Sequence, residues 1–392
     1  MDGVEITSIT KYLFDNIKAL VASGKLKDKY IVVFGANKPA MVVVEYLERE
    51  GITIDAIVDN NSSKRDMIAS GKIPLINGTH LLDSPEDILG TYREDAMILI
   101  ASQCYHDMCT QIEGMGYDTK THTIQLLTFP ELSKEMLPRV RYINQSELKQ
   151  IELDLLTFFR DTCEQMGLRY YLCGGTLLGA VRHKGYIPWD DDIDVFMPAA
   201  DYLKLIEQFE EDAVHKLLNF DNCTTSYMFT RLINKQTVLE EIHYPLQSKT
   251  GINIDIFPIS GFPSGNKQEV ARFTEEILTL RNKWDDFWFT YGLRENEEAA
   301  YENLKVKIKD IMTRYDFDSS ETVGYIVTGK LDRELLPKCC FDEVVMMDFE
   351  KEKFKAPKGY TTYLSNMYGD YMKLPEKEQQ ESKHDFRAWW EE

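Results

Sequence analysis

Apolar positions in the first third of the chain switch between helical spacing and short continuous runs. Ile9, Leu13, Ile17 and Leu20 recur near helical spacing and Gly24 follows, which predicts an amphipathic helix over 8–24. KYIVVFGANKPAMVVVEYLEREGITIDAIVDNN then reads as strand 30–34, glycine turn, helix 39–50 and strand 54–58 ending at Asp59, a βαβ unit. AMILIAS (96–102) is a fully apolar strand, DMCTQIEGMGYD a helix ending at Gly116, and KTHTIQLL the last strand. This order predicts a Rossmann-like, doubly wound α/β domain, with residues 1–130 as its extent.

The pattern then breaks. TFPELSKEMLPRV (128–140) carries two prolines and reads as a connection, so 131–145 is taken as linker and 146–392 as a second domain. A helix starts near Ser146, where SELK is a loose capping signal. Ile151, Leu155, Phe158, Phe159 and Cys163 share one face, and Gly167 ends it. RYYLC reads as a strand, GGTLLGAVRHKG as a glycine turn with a short helix, and GINIDIFPIS (251–260) as a later strand. Residues 267–315 read as helical, with Trp284, Phe287 and Trp288 placed as core. The fold class is therefore α/β followed by α+β.

The densest acidic run, IPWDDDIDVFMP, leads straight into an apolar strand. Alternation along that strand sends Asp192 and Asp194 to one face and Ile193 and Val195 to the core. Two carboxylates one pleat apart suit a hard divalent cation, Mg²⁺ or Mn²⁺. Asp255, alone between apolar neighbours in NIDIF, is either a third ligand or a general base. The Gly174–Gly175 turn at a helix start offers backbone N–H groups to a phosphate, and Arg182, His183 and Lys184 offer positive charge. A glycine turn, an acid pair and a third acid on a neighbouring strand form the nucleotidyltransferase-fold arrangement, which phosphoryl transfer uses to neutralise transition-state charge. Asp190 and Asp191 are not assigned as ligands.

The bulk numbers narrow the class. A net charge of −20 argues against nucleic acid and a polybasic membrane anchor. Seven cysteines, an odd number with no CxxC, argue against a disulfide framework or zinc ribbon. The N-terminus lacks a signal-peptide pattern and no stretch is long and apolar enough to span a bilayer. The expectation is a cytoplasmic enzyme, with peripheral contact at the inner membrane face allowed.

GGTLLGAVRHKGYIPWDDDIDVFMP and GINIDIFPI resemble the LicD family closely, and YLSNMYGDYMKLP with His384 looks like that family's C-terminal segment. The resemblance covers roughly residues 146–390 and extends to fukutin-type transferases. It implies transfer of phosphocholine from CDP-choline to a sugar hydroxyl of a cell-surface glycan precursor (lipopolysaccharide, teichoic acid or capsule), with release of CMP. The acceptor would be lipid-linked or nucleotide-linked. The rivals are ribitol, glycerol or ethanolamine phosphate from the matching CDP donor, and a non-catalytic nucleotide-binding scaffold. Carried onto this chain, the match implies Asp192 and Asp194 as metal ligands and Asp255 as third ligand or base. It implies Gly174, Gly175 and Thr176 beside the donor phosphates and Arg182 as a phosphate contact, and Trp189 lies inside the motif. Pro375-Glu376 departs from the family's Pro-Pro, at the donor or acceptor end rather than at the metal site. A choline head favours aromatic rings, for which Tyr186, Trp189, Tyr227, Tyr244, Tyr368 and Tyr371 are the candidates.

The N-terminal FGANKPA lacks the second and third glycines of a dinucleotide fingerprint. Asp59 is placed to meet a ribose, but the incomplete pattern favours a scaffold or an unknown small ligand over NAD.

Overall fold

The computed structural model describes residues 5–69, 80–102, 104–128, 140–243, 245–264, 267–293, 296–326, 331–382, 384 and 386–391. The chain forms two compact units. One is Ser8–Glu131, the other Leu132–Glu392 with the extreme N-terminus. Most of the expected linker, 131–139, lies outside the described residues. Among them no helix is long and apolar enough to cross a membrane.

Strand β1 (Glu5–Ser8) opens the chain. The smaller unit follows as α1 (Thr10–Ala22), β2 (Tyr30–Phe34), α2 (Lys38–Arg49), β3 (Ala56–Val58), α3 (Ser62–Ala69), α4 (Pro85–Leu89), β4 (Ala96–Ile100), α5 (Tyr105–Gly114), α6 (Thr119–His122) and β5 (Thr123–Gln125). Its sheet is parallel throughout, in the order β3-β2-β4-β5. The strands are apolar runs because helices cover both faces of such a sheet, and all five residues of β4 are buried. Asn37 caps α2 by accepting from the Ala40 N–H at 2.9 Å, with Pro39 in the first turn. Asp59 accepts from the N–H of Ala36 at 2.6 Å and of Asn61 at 2.8 Å. These bonds tie the turn after β2 to the end of β3.

The larger unit runs α7 (Gln145–Met166), β6 (Tyr171–Leu172), α8 (Gly174–Arg182), β7 (Asp194–Pro198), α9 (Ala199–Gln208), β8 (His215–Leu218), β9 (Thr230–Asn234), β10 (Thr237–His243), β11 (Leu246–Thr250) and β12 (Asn253–Gly261). It continues with α10 (Lys267–Phe289), α11 (Glu297–Arg314), β13 (Thr322–Tyr325), α12 (Leu331–Glu334), β14 (Leu335–Pro337), β15 (Val344–Phe349), β16 (Glu352–Pro357), α13 (Tyr360–Tyr368) and β17 (Phe386–Trp390). The start of α7 is a true capping box, formed by Asn144 and Glu147 rather than at Ser146. Gly167 ends the helix in the left-handed conformation.

The main sheet has seven strands centred on β12, which pairs parallel with β7 on one side and antiparallel with β9 and β13 on the other. A second sheet, β1-β11-β10-β17, takes a strand from each end of the chain, and β15-β16 form a hairpin. Trp284, Phe287 and Trp288 are 2–3% exposed in the core, as their helical spacing predicted.

Candidate active site

Strand β7 begins at Asp194, so Asp192 precedes the strand instead of lying in it. The Asp194 N–H donates to the Thr176 hydroxyl at 2.8 Å, its carbonyl accepts from the Cys173 N–H at 3.2 Å, and the Ile193 carbonyl accepts from the Asp255 N–H at 2.8 Å. The inward alternation holds nonetheless, with Ile193 and Val195 at most 1% exposed.

Register carries Asp194 onto a row of charges. Asp255 of β12 stands opposite Asp194 across the parallel pair, and Arg231 of β9 stands opposite Asp255 across the antiparallel pair. Arg231 Nε donates to Asp255 Oδ1 at 3.0 Å, and Asn253 Nδ2 donates to the same oxygen at 2.9 Å. The far end of the guanidinium, Nη1, meets Glu241 Oε1 at 2.8 Å. Sequence reasoning missed Arg231, although a lone arginine in the buried strand TRLIN is the same signal that exposed Asp255.

Both glycines of the turn are explained by carboxylates above them. A Cβ on Gly174 would meet Asp194 Oδ2 at 2.6 Å, and one on Gly175 would meet Asp190 Oδ2 at 2.5 Å. Gly174 also has φ +53°, a conformation that side chains disfavour. Its N–H donates to the Tyr363 hydroxyl at 3.1 Å. Of the three residues expected beside the donor phosphates, Gly175 lines the cavity, while Gly174 and Thr176 hold the framework.

That cavity measures about 790 Å³. Its floor is Gly175, Asp190, Asp192 and Asp194, and its sides include Arg182 and Trp189. The C-terminal segment supplies the facing wall, with Tyr368, Tyr371, Lys373, Glu376, Glu381 and His384 among its residues. Arg182 Nη1 donates to the Tyr371 carbonyl at 2.9 Å, so one arm of the expected phosphate contact anchors this wall. The two basic residues after Arg182 do not line the cavity floor. His183 sits edge-on to Trp189, 6.3 Å between ring centroids, and Lys184 is exposed. Among the aromatic candidates, Tyr186 is tied to Lys149 and Glu152, Tyr227 stacks on Arg231, and Tyr244 lies outside the described residues. Trp189, Tyr368 and Tyr371 line the cavity.

Asp191 is 8% exposed and unassigned by its spacing, yet it binds the C-terminal wall. It accepts from His384 Nδ1 at 2.8 Å and from the Ser382 hydroxyl. This bond raises the His384 imidazole to about 9. Removal from bulk water, then the charge of Asp190, push Asp192 up to about 7. Asp194 is held well above the carboxylate range by burial and then by Asp192 and Asp255. Asp255 is raised by burial, against which Arg231 pulls it down. Glu152, 3% exposed on α7, is also raised, first by burial and then by Asp192.

Carboxylates left this close, with cations on only some of them, are an electrostatic setting for a divalent ion. Among the described residues no group of three or more His, Cys, Asp or Glu side chains is placed to hold a metal ion. The donor set fits an open site, since Mg²⁺ commonly takes one or two carboxylates and completes its shell with substrate phosphate and water.

Residues 167–291, which carry the glycine turn and the charge row, match the family model described as LicD/FKTN/FKRP, nucleotidyltransferase domain. The chain belongs to the LicD family. It is 26% identical over 254 residues to the lipopolysaccharide cholinephosphotransferase LicD of Haemophilus influenzae, spanning 61% of this chain and 95% of that protein. It is 36% identical over 207 residues to an uncharacterised protein of Rickettsia prowazekii, spanning 46% of this chain and 72% of that protein. A short stretch of 32 residues is 59% identical to the human ribitol 5-phosphate transferase FKRP, spanning 8% of this chain and 6% of that protein. The relatives with named activities are phosphotransferases.

Proposed function

We propose that the protein transfers phosphocholine from CDP-choline to a sugar hydroxyl of a cell-surface glycan precursor, releasing CMP. The observation that carries this reading is the cavity lined by Asp192, Asp194 and Gly175 together with Trp189, Tyr368 and Tyr371. Aromatic rings beside carboxylates suit a quaternary ammonium, and the Haemophilus relative supports the same alcohol. In the reaction, Asp255 accepts the proton of the attacking hydroxyl. The hydroxyl oxygen bonds to phosphorus, the bond from phosphorus to the bridging oxygen breaks, and that oxygen leaves with CMP. Asp192 and Asp194 would hold Mg²⁺ or Mn²⁺, with Asp255 beside them as the third carboxylate; the ion supplies charge neutralisation for the pyrophosphate when bound. Gly175 and the other arm of Arg182 face the donor phosphates. The smaller unit acts as a Rossmann-like scaffold, and the protein works in the cytoplasm, on lipid-linked or nucleotide-linked acceptors.

The test is CMP release from CDP-choline, CDP-ethanolamine, CDP-ribitol and CDP-glycerol, with Mg²⁺ and a mixed glycan acceptor extract. An Asp192→Asn, Asp194→Asn double variant runs beside the wild type. Release from CDP-choline, lost in the variant, is the expected result. Release from another donor keeps the mechanism and replaces the alcohol. Neither release nor calorimetric binding of any donor would sink the reading.

A further inference from the structure

Neither Arg231 nor Asp255 is among the residues that line the cavity, but Asp255 stands opposite Asp194, which does line it, and Arg231 is held at several points behind Asp255. Its Nε holds Asp255 Oδ1 at 3.0 Å, its Nη1 holds Glu241 Oε1 at 2.8 Å, and its guanidinium carbon lies 3.5 Å from the centre of the Tyr227 ring. The Tyr227 hydroxyl in turn donates to Glu241. Arg231 is 9% exposed at its side chain and Asp255 15%. Both side-chain donors to Asp255, Arg231 and Asn253, use Oδ1. A planar guanidinium pinned at both ends cannot turn to follow a rotating carboxylate.

We propose that Arg231 is a positioning residue. Clamped by Glu241 and the Tyr227 face, it fixes Oδ1 of Asp255 so that Oδ2 is presented to the reacting groups. The inference rests on the transferase reading for its kinetic test, but the geometric claim stands apart from it. Arg231 acts through Asp255 and does not touch substrate. Lysine does not replace it, because a single ammonium cannot hold Asp255 and Glu241 in the same fixed geometry.

The experiment compares full-length wild type, Arg231→Gln, Arg231→Lys, Asp255→Asn, the Arg231→Gln/Asp255→Asn double variant, and Glu241→Leu. Kinetics with CDP-choline are read together with crystal structures of wild type and Arg231→Gln. Misplacing a reacting group costs about tenfold to a hundredfold. Arg231→Gln is therefore expected to lose that much kcat while KM for CDP-choline changes less than about twofold. Arg231→Lys should recover little, and the double variant should be no slower than Asp255→Asn alone. In the Arg231→Gln crystal, the Asp255 carboxylate should have rotated from its wild-type position. Losses that multiply in the double variant, or an Asp255 that has not moved, would overturn the proposal. Should Arg231→Gln fail to fold, Glu241→Leu carries the decision. Leucine has no acceptor for Nη1 or for the Tyr227 hydroxyl, so it frees the outer end of the clamp and must lower kcat at unchanged KM, and unchanged kcat overturns the proposal. A wild type inert toward every CDP-alcohol would reject the transferase reading, leaving the crystal comparison to decide the role of Arg231.

Discussion

Asp191 and His384 lie 193 positions apart and are joined by a 2.8 Å bond that fastens the C-terminal wall to the acidic turn. The imidazole is raised from 6.5 to about 9, first by this bond. The sign follows from linkage. A folded-state rise means that the contribution is complete below the unfolded value and is lost as pH climbs through the folded one. Wild type should therefore exceed His384→Gln in thermal stability at about pH 6, and the gap should close by about pH 10. Thermal melts of the metal-free proteins across that range check this. A gap that does not change with pH would refute it.

The two glycines should be intolerant for different carboxylates. Gly175→Ala brings its Cβ onto Asp190, and Gly174→Ala brings one onto Asp194 in a backbone that side chains disfavour. A displacement near 1 Å costs about a hundredfold in turnover, which is the expected loss for Gly174→Ala. Steady-state rates beside a circular dichroism melt will separate lost geometry from lost folding.

Thr176 is buried and its hydroxyl takes the Asp194 N–H. Thr176→Val leaves that donor unsatisfied, at a cost of about 1–3 kcal/mol. Thr176→Ser keeps the oxygen and should restore most of the loss. Urea unfolding of the three proteins provides the comparison.

Removing a charge from the site should stabilise the protein while stopping it. Asp194 is half-buried on the cavity floor, where removal from bulk water and then Asp192, Asp255 and Asp190 raise its carboxyl well above the usual range, so Asp194→Asn removes an unfavourable charge in the metal-free state. A higher melting temperature with no CMP release is expected, and a lower one would count against uncompensated repulsion at this site. Trp189→Ala should weaken CDP-choline by about 0.5–2 kcal/mol, with less effect on CDP-glycerol, as competition binding would report.

The helices α1, α2, α5 and α7 and the apolar strands β2, β4 and β12 were legible because their spacing is local, whereas KTHTIQLL, read as one strand, is the short helix α6 followed by β5. The glycine turn, the acidic run and Asp255 stood out in the sequence, and the structure brings them together in the larger unit. Pairing was not legible. Arg231 reaches Asp255 only because β9 and β12 are neighbours, with β10 and β11 lying between them in sequence. Asp191 meets His384 only once β17 has joined β10. Asp192 was expected on the strand itself, but the strand begins two residues later, at Asp194, whose N–H is taken by the Thr176 side chain. The place of β1 in a sheet of the larger unit had no local signature, since edge pairing is decided by tertiary context.

The row Asp194, Asp255, Arg231 has its spacing metered by backbone pairing, about 4.8 Å from strand to strand. Such a site is indifferent to the length of the loops that join its strands and sensitive to their phase. Deleting one residue within β12 would turn Asp255 to the opposite face while leaving every side chain of the motif present in the sequence. Descendants of this chain can therefore exchange whole loops and keep the row, but a single slipped residue in the central strand would disassemble it.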